Sequence, residues 1–219
     1  VQGFGRQQDH LAAQNAAVAQ ATGKLLAFSD ANTMWEPGAL AALAAATRDQ
    51  AVDYACGRVN FVNEAGDNQE GLYWRYEMWL RARESALKSV TAGNGAIYAV
   101  KPAAYREIAP VTGHDLTLPF SVVKLGGRAI DAPAARATET MVPTIGGEFK
   151  RKRRMMSFAW PIILGGGMLN PRGYGFAYGW MNTATGITFG VGGLFAFVGW
   201  GTGFVLSSTG KAMGQLAGQ

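Results

Sequence analysis

Short apolar runs alternate with helix-forming stretches through the first 140 residues, and this alternation constrains the fold more than any other feature of the chain. Its clearest unit is Gly23 to Leu40, GKLLAFSDANTMWEPGAL. Leu25 to Phe28 is short, apolar and bounded by polar residues, as expected of a buried strand. Pro37 precedes an alanine- and leucine-rich run, and proline's fixed φ suits the start of a helix. Asp30 and Asn32 therefore fall in the loop at the carboxyl end of a strand, where open α/β sheets bind their ligands. Two roles fit Asp30 there: satisfying backbone N–H groups of the loop, or holding a metal ion.

The same reading extends along the chain. Leu11 to Thr22 is alanine-rich and helical, Ala39 to Ala46 is a second helix, and Tyr54 to Val62 alternates as a strand does. A turn cluster at residues 63–68 leads into Gly71 to Lys88, GLYWRYEMWLRARESALK, the most strongly patterned helix. Leu72, Tyr76, Trp79, Leu80 and Arg83 share one side of it. Aromatic residues so placed suit a core face or a membrane-surface face, and the pattern alone does not separate the two. Gly93 to Val100 reads as a glycine-led strand, Lys101-Pro102 opens a short helix, residues 113–126 turn from loop to helix, and Arg128 to Ala132 forms a last short strand. Strands alternating with helices indicate a layered α/β domain.

Charge is concentrated in one place. The chain has 20 basic and 15 acidic residues, and Lys150 to Arg154 supplies five of the basic ones; 20 − 5 = 15, so the remainder is neutral. A broad nucleic-acid-binding surface needs basic residues over a whole face, and so no nucleic acid is expected as a partner. Cys56 is the single cysteine, which excludes an intrachain disulfide and a cysteine zinc site. His10 and His114 make no metal-spaced pair. From Gly173 to Gly210 no residue is charged, and Ile187 to Leu206 is long enough to cross a bilayer core. Small residues at four-residue spacing (Gly186 and Gly190, Gly199 and Gly203) permit close helix packing in a membrane. Basic residues ahead of the apolar stretch place the α/β domain on the cytoplasmic side.

Taken in order, the segments from Ala12 to about Tyr174 resemble membrane-associated glycosyltransferases of family 2. The matching pieces are Ala12-Ala-Gln-Asn15, Ala27-Phe-Ser-Asp-Ala-Asn-Thr33, Glu70-Gly-Leu-Tyr-Trp-Arg-Tyr-Glu77, Thr91-Ala-Gly-Asn-Gly-Ala-Ile-Tyr98, Gly113-His-Asp115, Ala134-Ala-Arg-Ala-Thr-Glu139 and Glu148-Phe-Lys-Arg-Lys-Arg-Arg154. Each is weak alone; their order is the signal. The resemblance implies a GT-A fold, a Rossmann-like mixed sheet flanked by helices. It implies inverting transfer of a hexose-type sugar from a nucleotide-sugar, a UDP-sugar first among candidates, to a saccharide or lipid-linked hydroxyl acceptor.

It also implies roles. Asp30 would bind Mg²⁺ or Mn²⁺ as the first aspartate of the family's D-x-D, with Asn32 in the third position. Such hard ions need only one or two protein carboxylates beside phosphate oxygens. Asp115 would be the catalytic base, although an aspartate before Leu-Thr-Leu is also a good helix cap. Arg151 and Arg153 would lie over the diphosphate and acceptor channel, where guanidinium groups fork onto phosphate oxygens, or form a lipid-attracted basic patch. Glu148 stands where processive synthases carry the Gln of Q-x-x-R-W, and the Trp is absent too, which argues for transfer of one or a few sugars. Gly93, Asn94, Gly95 and His114 are candidate sugar contacts.

The resemblance has gaps. The family's first strands, which grip the base and ribose, have no counterpart before Val1, so the domain is expected to be truncated at its amino terminus. His10 and Asp9 replace the usual lysine and glycine of the first matched element. Three regions are expected: a partial catalytic domain over 1–147, a basic membrane-proximal segment over 148–172, and a glycine-rich apolar membrane segment over 173–219, at the cell inner membrane. The rival reading is a non-catalytic membrane-bound α/β module acting through its basic run and apolar tail.

Overall fold

The computed structural model describes residues 2–62, 72–109 and 113–140. The expected basic and apolar carboxyl-terminal segments, with Glu148, Arg151 and Arg153, lie outside them. Among the described residues no helix is long and apolar enough to cross a membrane.

The elements are α1 (Gln2–Gln20), β1 (Leu26–Ser29), β2 (Thr33–Trp35), α2 (Ala39–Ala46), β3 (Val52–Val62), α3 (Leu72–Leu87), β4 (Ile97–Val100), α4 (His114–Lys124) and β5 (Arg128–Thr140), with a 3₁₀ turn at Pro102–Ala104. The strands form one five-stranded sheet in the order β1-β4-β3-β5-β2. Only β3 and β5 run parallel; the other neighbours are antiparallel. The sheet is therefore mixed, as expected.

Alternation along the strands builds two cores. On one face Tyr54, Cys56, Tyr98 and Val100 pack with Leu11 of α1 and with Leu118 and Val122 of α4. On the other, Ala55, Val59, Ile97 and Ala99 pack with Ala39 and Leu43 of α2. Successive residues of a strand point to opposite faces, so β4, flanked by β1 and β3 and covered on both faces, is buried at all four positions. Small side chains dominate the α2 side, with Ala55, Ala99, Ala135 and Ala137 all fully buried, and this lets an alanine-rich helix lie close to the sheet.

Three features differ from the sequence-based expectation. The last strand does not stop near Ala132 but runs to Thr140. Its second half, Arg136–Thr140, pairs with Arg58–Val62 of β3, while Ala137–Glu139 pair with the short β2, which no pattern in the sequence marks. The register slips between Cys56/Asp131 and Arg58/Arg136. Pro133 lies in that interval, and proline has no N–H for the ladder. The glycine-led strand is also shorter, since residues 93–96 form a loop ahead of β4.

The third difference concerns α3. Its aromatic side faces water: Tyr76 and Trp79 are exposed, and Arg83 with them. The buried side carries Arg81 and Glu84 instead. Arg81 donates to Glu77 at 3.3 Å. The carboxyl end of α3 is capped from outside, because Arg128 donates Nε to Lys88 O at 2.7 Å and an η nitrogen to Ser85 O at 2.9 Å. A guanidinium there meets the helix's unpaired carbonyls and the negative end of its dipole.

Candidate functional site

Asp30 ends β1, and the chain turns at once: Thr33 N–H donates to Asp30 O at 3.2 Å, and β2 starts. A cleft of about 500 Å³ opens between α1 and β1, lined on its polar side by Gln14, Ser29, Asp30, Gly95 and His114. Residues from three separate sequence segments thus meet there. The Asp30 carboxylate makes no hydrogen bond or ion pair among the described residues, so the loop-satisfying role considered for it is not the one it plays.

Asn32, two residues on, is not among the residues that line the cleft. Its Nδ2 donates to Glu139 Oε1 at 2.9 Å. Because a carboxylate only accepts, it fixes the amide with Nδ2 inward and leaves Oδ1 open. Among the described residues no group of three His, Cys, Asp or Glu side chains gathers as a metal cage. A carboxylate and an amide oxygen that are both unengaged among the described residues are nonetheless a hard-oxygen donor set. They suit a divalent cation whose other ligands are phosphate oxygens and water.

The loop Thr91–Ala96 is held from both sides. The Glu84 carboxylate accepts from Thr91 N at 3.0 Å and from Thr91 Oγ1 at 2.8 Å, all of it buried. Gly93 N donates to Asp115 O at 2.7 Å, tying the loop to the first turn of α4. Asn94 closes a turn on itself, accepting from Ala96 N with Oδ1 at 3.2 Å and from Ile97 N with its carbonyl at 3.3 Å. The bond from Ala96 N engages the side-chain oxygen of Asn94, and the turn explains why asparagine stands there.

Two glycines are required by close approach. A methyl group on Gly93 would overlap the Tyr54 hydroxyl and come within 2.8 Å of its Cζ, and one on Gly95 would lie 2.5 Å from His114 Nε2. Gly95 therefore seats the imidazole in the cleft. His114 Nδ1 faces Gln14 Oε1 at 3.5 Å, and the ring meets Tyr98 edge-on at 5.6 Å. Gln14 also donates to the Tyr98 hydroxyl at 3.0 Å. Phe28 stacks on Tyr98 at 4.7 Å and on Tyr105 at 5.9 Å, forming an aromatic layer behind β1.

Asp115 is not a helix cap; Gly113 holds that position, and Asp115 is the acidic residue of the first turn. Its Oδ1 accepts from Leu116 N at 3.0 Å. The aligned N–H groups of a helix start favour the carboxylate there. The structure thus brings Asp30, Gly95 and His114 into one cleft and fixes Asp115 beside it through Gly93. Asn32 is held by Glu139.

Two residues escaped the sequence reading. Gln14 neighbours Asn15, whose amide clamps the 105–108 segment through Tyr105 Oη at 2.7 Å and both polar backbone atoms of Ile108. Glu84 left only a faint trace, a carboxylate within the pattern of a helix whose buried side was not the apolar one.

Residues 4–109 match the model of the family described as glycosyl transferase family 2. This match supports a glycosyltransferase. It contains Asp30, Asn32 and the Gly93–Gly95 loop, and it ends just before His114 and Asp115. No curated protein matches the chain. Among solved structures the chain is similar to the mannosyltransferase PcManGT from Pyrobaculum calidifontis in complex with GDP-Man and Mn²⁺, at 20% identity and a TM-score of 0.46, over 88% of this chain and 58% of that one. It is also similar to GalNAc-T7 with UDP, GalNAc and Mn²⁺, at 14% identity and a TM-score of 0.44, over 60% of this chain and 30% of that one.

Proposed function

We propose that the chain transfers a sugar from a nucleoside-diphosphate donor to a hydroxyl acceptor with inversion at the anomeric carbon. The observation that carries this is the Asp30 carboxylate at the carboxyl end of β1, unpartnered among the described residues and facing the cleft that Gly95 and His114 also line. Asp30 and the open oxygen of Asn32 would hold a Mg²⁺ or Mn²⁺ ion, which offsets charge on the leaving diphosphate. Asp115 takes the proton of the acceptor hydroxyl as that oxygen bonds to the anomeric carbon. The bond from that carbon to the phosphate oxygen breaks, and its electron pair leaves with the diphosphate. A single displacement with one base inverts the centre. His114, set in the cleft by Gly95 and Gln14, orients the sugar or acceptor.

The basic run with Arg151 and Arg153, and the uncharged stretch beyond it, support work at the cytoplasmic face of a membrane in polysaccharide or glycolipid assembly. A UDP-sugar is the first donor to try. Calorimetric titration of UDP, GDP and dTDP with and without Mn²⁺ tests the proposal, with Asp30→Ala alongside. Metal-dependent binding that disappears in the variant supports it, and the preferred base names the donor class. Binding of none of the three would leave the non-catalytic module as the better reading.

A further inference from the structure

The outward face of α3 takes no part in the cleft. Arg75, Tyr76, Trp79, Arg83 and Leu87 recur along it at helical spacing, and all are exposed; Trp79 keeps 54% and Leu87 76% of its surface in water. These side chains are ordered against one another. The Tyr76 and Trp79 rings stack with centroids 6.1 Å apart, and the Arg83 guanidinium lies 5.6 Å from the centre of the Trp79 ring. Both acids of the helix turn away, for Glu84 is buried against Thr91 and Glu77 pairs with Arg81. Among the described residues of the helix, an apolar aromatic strip is left with arginines on it and no acid.

We propose that this face of α3 docks on an anionic lipid surface, the helix lying along the headgroups. Tryptophan and tyrosine place an apolar ring and a polar tip at a membrane boundary. Arginine stems lie over apolar surface while their charged ends reach phosphate oxygens. The chain's own carboxyl-terminal residues carry almost no negative charge to match the arginines. From Met141 to Gln219 Glu148 is the sole acid, against Lys150 to Arg154, Arg172 and Lys211. A second copy stacked on this face would set arginine against arginine. A bilayer leaflet with anionic headgroups supplies the negative charge and the apolar layer together. This inference does not depend on the sugar-transfer reading.

The test uses the full chain with Leu87→Cys labelled by a nitrobenzoxadiazole fluorophore. Cys56 is fully buried with its thiol pushed up to about 11 by burial, so the label goes to position 87. The protein is titrated with vesicles of phosphatidylcholine alone and of phosphatidylcholine with phosphatidylglycerol. Expected is a blue-shifted, brighter emission on the anionic vesicles only. In an Arg75→Gln/Arg83→Gln background the affinity should fall about 30-fold, roughly fivefold per lost charge. A label already blue-shifted without lipid means that protein covers the face and overturns the proposal. So does a label that ignores anionic vesicles, responds equally to neutral ones, or responds unchanged in the arginine variant.

Discussion

Gly93→Ala is the sharpest probe of how the site is built. The added methyl would overlap the Tyr54 hydroxyl and come within 2.8 Å of Tyr54 Cζ. The ring cannot step aside, for Tyr54 is fully buried and stacks on Tyr98 at 5.5 Å, which in turn stacks on Phe28. Overpacking a filled interior costs about 1–3 kcal/mol. Gly93 holds no positive φ. Alanine therefore returns about 0.4–1 kcal/mol by restricting the unfolded chain. The expected net loss is about 1–2 kcal/mol.

Tyr54→Phe removes the nearer of the two clashing atoms. That hydroxyl is buried with no hydrogen-bond partner among the described residues, so the single change should be close to neutral. In the double variant the methyl gains room, and at least about 0.5 kcal/mol of the loss should return, the threshold above which neighbouring sites count as coupled. Urea denaturation of the four proteins measures all the terms. Strict additivity of the two substitutions would refute the contact on which the reasoning rests. Because Gly93 N holds the carbonyl of Asp115, the single variant should also lower sugar transfer, and the double variant should restore part of it.

Glu84→Ala removes the two buried bonds that the carboxylate accepts from Thr91 N and Oγ1 and should cost about 2–3 kcal/mol, read as a fall in the urea midpoint. An unchanged midpoint would show that the clamp does not hold the loop. Asp115→Asn should leave stability and nucleotide binding in place and lower turnover by about 10²- to 10⁴-fold. Equal turnover would remove Asp115 as the base.

Stability should also fall in alkali. Burial pushes the Cys56 thiol up to about 11, while the unfolded thiol ionises near 9. Between those values the unfolded chain has released a proton that the folded one keeps, so stability drops as pH rises, by on the order of 2–3 kcal/mol at the top of the window. Burial raises Tyr54 and Tyr98 as well, which extends the fall above pH 10. Denaturation midpoints flat from pH 8.5 to about 11 would contradict this, a window set by the same linkage. In the folded protein Cys56 should resist thiol reagents.

Much of the fold is legible in the residues themselves. The apolar run ending at Asp30, the proline and alanines after it, and the alternation of Tyr54 to Val62 are local patterns, because burial on one face of a strand or helix writes a period into the sequence. That local rule places Asp30 and Asn32 at a strand's carboxyl end and Asp115 at a helix start. It does not pair strands. β2 is three residues long, too short for any period, and exists only because Ala137–Glu139 run beside it. The second half of β5 depends in the same way on β3.

Side-chain partners are equally non-local. Glu139 claims the amide of Asn32 from 107 positions away, and Gln14 reaches His114 across 100. Nothing in the composition of α3 marks Arg81 and Glu84 as its buried residues and the aromatics as its exposed ones. What the sequence by itself determined was which segments are strands and helices and which residues could carry chemistry, since both follow from short-range periodicity and residue type. The tertiary structure alone decided which of those residues share a cleft and which face of α3 meets water, since both depend on contacts between segments distant in sequence.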